Sequence, residues 1–377
     1  MTSLRVLQNF LPTVLLWLMN SKFCFSEDGN YTTTALFTDY SIASMDYSDF
    51  PELCMKDANR QFRLVFMPVL YSIICFLGLA GNMLVILTYL YFKRLKTMTD
   101  VYLLNLSFAD LLFALSLPFW AANSMVSWVL GLGLCKAMHT IYKVSFYSSM
   151  LLLSFISVDR YFAISKAISA HRHRSQAVII SKLSSALVWV LALIFSVPEM
   201  VYTTINNNTC TPFSSNSDPL RVTVQASQIA LGFALPFLIM TFCYSSILRT
   251  LYYARNFERN KAIKVILAVV TVFLVFQTPY NVVLFLNTVV TAQGGTEDCQ
   301  YDNILLYATD ITQSLAFLRC CLNPFVYAFV GTKFRYDLLK LLKEFGCMSQ
   351  ERFFRYTCGR RRSSVPTETE TTTTFSP

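Results

Sequence analysis

Asp110 lies in NLSFADLLFALSLPFW, residues 105–120, a run that is otherwise almost wholly apolar. Burying an unpaired carboxylate in such surroundings costs several kcal/mol or more, so the chain must supply a partner. Arg319, in AFLRCCLNPFVY, is the candidate. It precedes Asn323 by four residues, so both occupy one helix face. A second charged set, Asp159, Arg160 and Tyr161 in SVDRYFAIS, closes another apolar run, where the arginine can pair with its neighbouring carboxylate. Asp310 and Gln313 are three apart, again on one face, and Asp310 can receive a cationic group. None of these sets performs covalent chemistry. His171 and His173, two apart in HRHR, have the wrong spacing to share a face, and no nucleophile–base pair is present. The sequence therefore reads as a non-enzyme with no cofactor and no metal.

The elements that hold these groups are membrane helices. Of 377 residues, 54% are hydrophobic and 14% charged, against about 25% charge in soluble domains. Apolar runs recur at 66–91, 101–123, 134–164, 178–201, 224–252, 263–290 and 304–330. Each exceeds the ~20 residues that cross a hydrocarbon core. Lys93, Arg94 and Lys96 follow span one, Lys166, Arg172 and Arg174 follow span three, Arg255 to Lys264 follow span five, and Lys333 to Lys343 follow span seven. All fall on one side, which is the cytosolic one. The net charge of +9 is thus topological and does not call for nucleic acid. Seven spans and the absence of an internal repeat also argue against a transporter.

The same polarity places the N-terminus outside. Residues 1–26 read as a signal peptide, since ten apolar residues from Phe10 to Met19 are too few to span. An acidic extracellular arm, 27–63, precedes a bundle over 64–330, an amphipathic eighth helix over 331–345 and a cytoplasmic tail over 346–377. Asn30 and Asn207 head sequons on the outer side, while the sequon at Asn105 lies within a span. Four cysteines fall on the oxidising side, and four permit three pairings. Cys135 opens span three and Cys210 follows span four, so that bridge ties the loop down. Cys54 and Cys299 would then join the N-terminal arm to the loop between spans six and seven. Cys347 and Cys358 follow the bundle and are palmitoylation candidates. Pro118, Pro198, Pro236, Pro279 and Pro324 bend spans. Pro279 stands beside Gln277 and Asn281, and Pro324 beside Asn323, which suggests polar hinges.

GLAGN with Asn82, Asp110 in span two, Asp159-Arg160-Tyr161 ending span three and NPFVY with Asn323, Pro324 and Tyr327 occur in order at matching depths. Together they resemble the rhodopsin-like G-protein-coupled receptors, over about residues 60–345. SLPFW, DRYFAI, TPYN and the second extracellular cysteine pair narrow the resemblance to the chemokine receptors.

That resemblance implies an all-α, seven-transmembrane receptor of the plasma membrane. Its expected partners are a C-C chemokine of the lymphoid-homing type, an inhibitory-class G protein, arrestins, receptor kinases and membrane lipid. A scavenging receptor without G-protein coupling is the alternative, which the intact DRYFAIS disfavours. The expected ligand contacts are Tyr40, Asp46, Tyr47 and Asp49 on the arm, where an acidic surface speeds encounter with a basic ligand. Beneath them, Tyr71, Trp120, Tyr142, Gln225, Tyr280, Asp310 and Gln313 form a polar pocket, with Asp310 as partner for the ligand's terminal amine. The family commonly has Glu at Gln313, and most rhodopsin-like receptors have Trp at Gln277, so Phe273 is expected to carry the repacking between states. Arg160 at rest pairs with Asp159. Related receptors hold sodium beside the residue matching Asp110. Here Asn82, Ser149 and Asn323 would surround it, with Arg319 as a built-in cation. A hollow bordered by Thr99, Asp100, Arg160, Tyr327 and the first amides of the eighth helix, Gly331, Thr332 and Lys333, is expected to admit intracellular antagonists. Ser363, Ser364, Thr367, Thr369, Thr371, Thr372, Thr373 and Thr374 form a phosphorylation cluster for arrestin.

Overall fold

The computed structural model describes residues 56–92, 95, 97–125, 128–165, 174–206, 208–213, 218–253, 259–295, 298–330 and 332–358. Within these ranges the side chains of 165, 174–175, 218, 251–253, 259–270, 327–330, 332–333 and 357–358 are outside the description. Tyr40, Asp46, Tyr47, Asp49, Asn30, Cys54, Asn207, Gly331 and the cluster Ser363 to Thr374 lie outside the described residues, as do the signal peptide and the side chains of Tyr327, Thr332 and Lys333.

The chain forms α1 (Asp57–Tyr91), α2 (Met98–Met125), α3 (Gly131–Ser165), α4 (Arg174–Phe195) and a short α5 (Val197–Tyr202). A hairpin of β1 (Thr204–Asn206) and β2 (Thr209–Thr211) follows. Then come α6 (Asp218–Ser227), a π-helical stretch (Gln228–Ala234), α7 (Leu235–Tyr253), α8 (Arg259–Ala292), α9 (Cys299–Val330), α10 (Thr332–Glu344) and α11 (Gln350–Cys358). Spans four and five are each divided in two, so seven spans are built from more helices than seven.

Six of these segments are long and apolar enough to cross a membrane. The seventh, α9, has 32 residues but carries Asp302, Asp310 and Arg319. Its polarity is a property of the site it lines. The helices close into a ring, with α2 on α1, α3 on α2, α7 on α3, α9 on α8, and α9 back on α1. The inward stripe packs around Leu106, Met150, Leu152, Val188, Ile247 and Phe273. The outward faces stay apolar: Phe76 is 68% exposed, Leu183 67% and Phe242 63%. Such surfaces require lipid rather than water around them.

Backbone chemistry explains the two divided spans. Span four was expected to be one helix, and it breaks at Ser196, just before Pro198. Proline supplies no amide and fits best at the start of a helix, so the chain restarts there. Ser196 bonds the carbonyl of Ala192 at 2.7 Å. In span five the π-helical stretch ends just before Pro236. Pro68, Pro118, Pro279 and Pro324 sit inside continuous helices, as membrane bundles allow when neighbours satisfy the freed carbonyls. One turn after Pro68 the Ser72 hydroxyl donates to the Pro68 oxygen at 2.7 Å.

Candidate functional site

Two polar sites occupy opposite ends of the bundle, joined by a buried polar column. At the end bearing the hairpin, a cavity of about 610 Å³ opens between the helices. Its roof is held by the disulfide Cys135–Cys210, with Cα atoms 5.7 Å apart. The strands pair antiparallel with Asn206 opposite Thr209, which leaves a two-residue loop. Asn208 takes φ 57°, the left-handed conformation such a loop needs and Asn tolerates. Asn123 of α2 pins β2 from both sides, donating to the Cys210 carbonyl at 3.3 Å and accepting from its amide at 3.2 Å. Cys299 is also disulfide-bonded, and its expected partner Cys54 lies outside the described residues.

The seven pocket residues expected from sequence all line this cavity: Tyr71, Trp120, Tyr142, Gln225, Tyr280, Asp310 and Gln313. Its floor is aromatic. Phe317 lies 5.5 Å from Tyr71 and 5.6 Å from Tyr142, ring centre to ring centre, and Trp120 lies 6.1 Å from Tyr142. Gln225 accepts from the Thr288 hydroxyl at 3.2 Å. Asp310 faces Arg63 of α1 at 3.5 Å, so a ligand's amine would have to share it with that guanidinium.

Of the further lining residues, four are buried polar side chains that were not foreseen. Lys143 extends its ammonium to Glu199 at 2.7 Å and to the Gln228 side-chain oxygen at 2.5 Å. This buried triad ties α3 to the short α5 and to the π-helical stretch. Lys143 in IYKVSFY and Glu199 in SVPEM are charges inside apolar runs, the signal that singled out Asp110 and Arg319. His139 stacks edge-on against Trp120 at 4.5 Å. Although His139, Cys135 and Cys210 bring three ligand-type atoms within 4.8 Å of one another, both sulfurs belong to the disulfide, so these residues do not make a metal site. Trp120 Nε1, His139 Nε2 and Gln228 Nε2 are buried without hydrogen-bond partners among the described residues. A cavity whose donors and acceptors are left open is suited to a polar ligand.

In the column below, Asp110 accepts from Asn323 Nδ2 at 2.7 Å and from Ser149 Oγ at 3.2 Å, and Arg319 Nη2 approaches it at 3.9 Å. Asn82 departs from the expected ring. Its amide donates at 2.9 Å to the carbonyls of Gly78 and Cys320, fastening α1 to α9 beside Pro324, and does not bond Asp110. Phe273 is fully buried and stacks on Phe233 at 6.0 Å. Near Pro279 the Gln277 carbonyl accepts from the Asn281 amide at 2.8 Å.

At the other end of the bundle, Arg160 Nη2 bonds Asp159 at 2.8 Å. The Thr99 hydroxyl bonds both Asp159 and Arg160, closing a three-membered latch between α2 and α3. Tyr161 packs on Phe242 of α7 at 6.0 Å, and Ser157 shares a hydrogen bond of 2.8 Å with Tyr244 of α7. Asp100 works locally: its carboxylate accepts from the Thr97 amide at 3.0 Å while its own amide donates to Thr97 Oγ1 at 3.2 Å, a reciprocal cap on α2.

Comparison with known proteins agrees with this architecture. The profile of the 7 transmembrane receptor (rhodopsin family) matches residues 81–327. The chain is 53% identical over 342 residues to C-C chemokine receptor type 7 of Homo sapiens, covering 89% of this chain and 90% of that protein. It is 40% identical over 362 residues to C-C chemokine receptor type 9 of Mus musculus (94% and 95% covered) and 43% over 302 residues to C-C chemokine receptor type 4 of Homo sapiens (79% and 83%).

Proposed function

The chain belongs to the rhodopsin family of seven-transmembrane receptors and, within it, to the chemokine receptors; from that premise we propose that it binds a C-C chemokine of the lymphoid-homing type at the cell surface and activates an inhibitory-class G protein. The observation that carries the reading is the pairing of an open polar cavity at one end with a closed Asp159–Arg160–Thr99 latch at the other. The acidic arm with Asp46, Tyr47 and Asp49 would collect a basic chemokine by charge. The ligand's terminus would then enter the cavity and engage Asp310, Gln313 and the triad around Lys143. Between cavity and latch stand the elements able to transmit that event: the π-helical stretch, Phe273 and the hinges at Pro279 and Pro324.

In the resting arrangement Arg160 is occupied. Outward movement of α8 would release it for a G-protein helix, as a two-state switch biased by ligand. Calcium signalling and leukocyte chemotaxis would follow. Phosphates on Ser363 to Thr374, each adding about −1.5 to −2 charge, would then recruit arrestin. A panel of purified C-C chemokines applied to cells expressing the chain tests the reading through calcium and cAMP. At least one should evoke both responses. Binding without either would favour a scavenging receptor.

A further inference from the structure

The terminal helix α11 belongs neither to the cavity nor to the latch, and its fold-back is specifically built. α10 ends in a left-handed Gly346, φ 75°. The Cys347 amide bonds the Leu342 carbonyl at 2.8 Å and the Gly346 amide that of Lys343 at 3.0 Å. This double closure is one that a residue with a Cβ fits poorly. Ser349 then caps α11, accepting from the Arg352 amide at 3.4 Å. The two helices meet through Phe353, which is buried. It lies 5.8 Å from Tyr336, ring centre to ring centre, with Lys343 Nζ 5.1 Å over its ring.

α10 is seated against the last turn of α1. Phe334 lies 6.1 Å from Tyr89 and Phe345 6.2 Å from Tyr91, with Lys340 Nζ 5.2 Å over Phe92. α1 is a membrane-length helix, and α11 folds back on the helix that packs beside its end. Its remaining face is bare. Phe354 is 51% exposed and Tyr356 64%. Arg352 and Arg355 are exposed beside them, Glu351 is the one acid in the helix, and Arg360, Arg361 and Arg362 follow in sequence. Aromatic rings interleaved with arginines suit a headgroup layer, the rings at the acyl boundary and the cations against anionic lipid.

We propose that α11 is an interfacial helix that docks on the anionic leaflet through the face shared by Arg352, Arg355 and Tyr356, spaced i, i+3 and i+4, with Tyr356 in the headgroup region and the two arginines on acidic headgroups. It would form a membrane contact beyond that of α10. The proposal rests on the family's membrane placement of the bundle but not on which ligand the receptor binds.

The full-length receptor in lipid nanodiscs provides the test. Tyr356→Cys, in a background of Cys347→Ser and Cys358→Ser, carries an environment-sensitive fluorophore, and quenchers are placed on the lipid chains. Quenching should be strong in discs containing phosphatidylserine and weak in phosphatidylcholine alone. Each arginine near an anionic leaflet favours the bound state about fivefold, so Arg352→Glu with Arg355→Glu should lose docking by more than tenfold. Arg352→Lys with Arg355→Lys should retain it, which separates charge from folding. A label in water in both lipids overturns the proposal. So does quenching indifferent to lipid charge, or protection that arises only when G protein or further receptor copies are added.

Discussion

Arg319→His is the substitution whose outcome the geometry fixes most closely. Wild-type Arg319 holds a cation 3.9 Å from Asp110. At that distance, with an effective dielectric near 20, the attraction is worth about 4 kcal/mol before desolvation. A sodium ion arriving beside Asp110 must compete with that charge, a handicap on the order of a thousandfold in affinity. The Asn323 and Ser149 hydrogen bonds to Asp110 remain in the variant, so the ring that could hold sodium persists once the guanidinium is gone. The assay is agonist affinity in sodium against a large organic cation at matched ionic strength. Wild type should change little, and Arg319→His should lose agonist affinity in sodium. A tenfold loss for the wild type would refute the reasoning, because Arg319 would then not be the cation that serves Asp110.

Three other outcomes follow from the same structure. Cys54→Ala with Cys299→Ala should reach the cell surface yet bind chemokine poorly, since the bridge expected between them would close over the mouth while the spans hold the bundle; normal radioligand affinity would contradict this. Lys143→Met should cost about 3–5 kcal/mol by stranding the buried Glu199 carboxylate, and thermal unfolding of the purified receptor should show Lys143→Met with Glu199→Met recovering most of that loss. Gly232→Ala places a methyl against the Phe146 ring where the π-helical stretch crosses α3, so it should lower the melting temperature, with Phe146→Ala added in the same chain restoring part of it.

Much of this was legible because membrane helices announce themselves by length and because a charge within an apolar run demands an explanation. Asp110 and Arg319 could be placed by helical spacing, and the cavity residues by the depths that the family resemblance implies. The Lys143–Glu199–Gln228 triad could not be paired that way. Its members come from three helices far apart in sequence, and their meeting depends on the break at Ser196 and on the π-helical stretch, both irregularities of backbone that periodicity does not reveal. Arg63, which faces Asp310, lies near the start of α1, ahead of the apolar run, and reads in sequence as a surface residue. Asn82 was grouped with Asp110 by depth, but depth does not fix direction, and its amide turned toward carbonyls. The fold-back of α11 was the nearest miss. Gly346 followed by Ser349 is a stop and a start signal three residues apart, yet the segment is short and lies past the last span.

The most direct test of the account is nucleotide exchange on a purified inhibitory-class G protein by this receptor in nanodiscs, with and without a C-C chemokine it binds. The account predicts chemokine-dependent release of GDP, lost in Arg160→Ala, with chemokine binding at the cavity retained. Tight chemokine binding with no acceleration of exchange would contradict it.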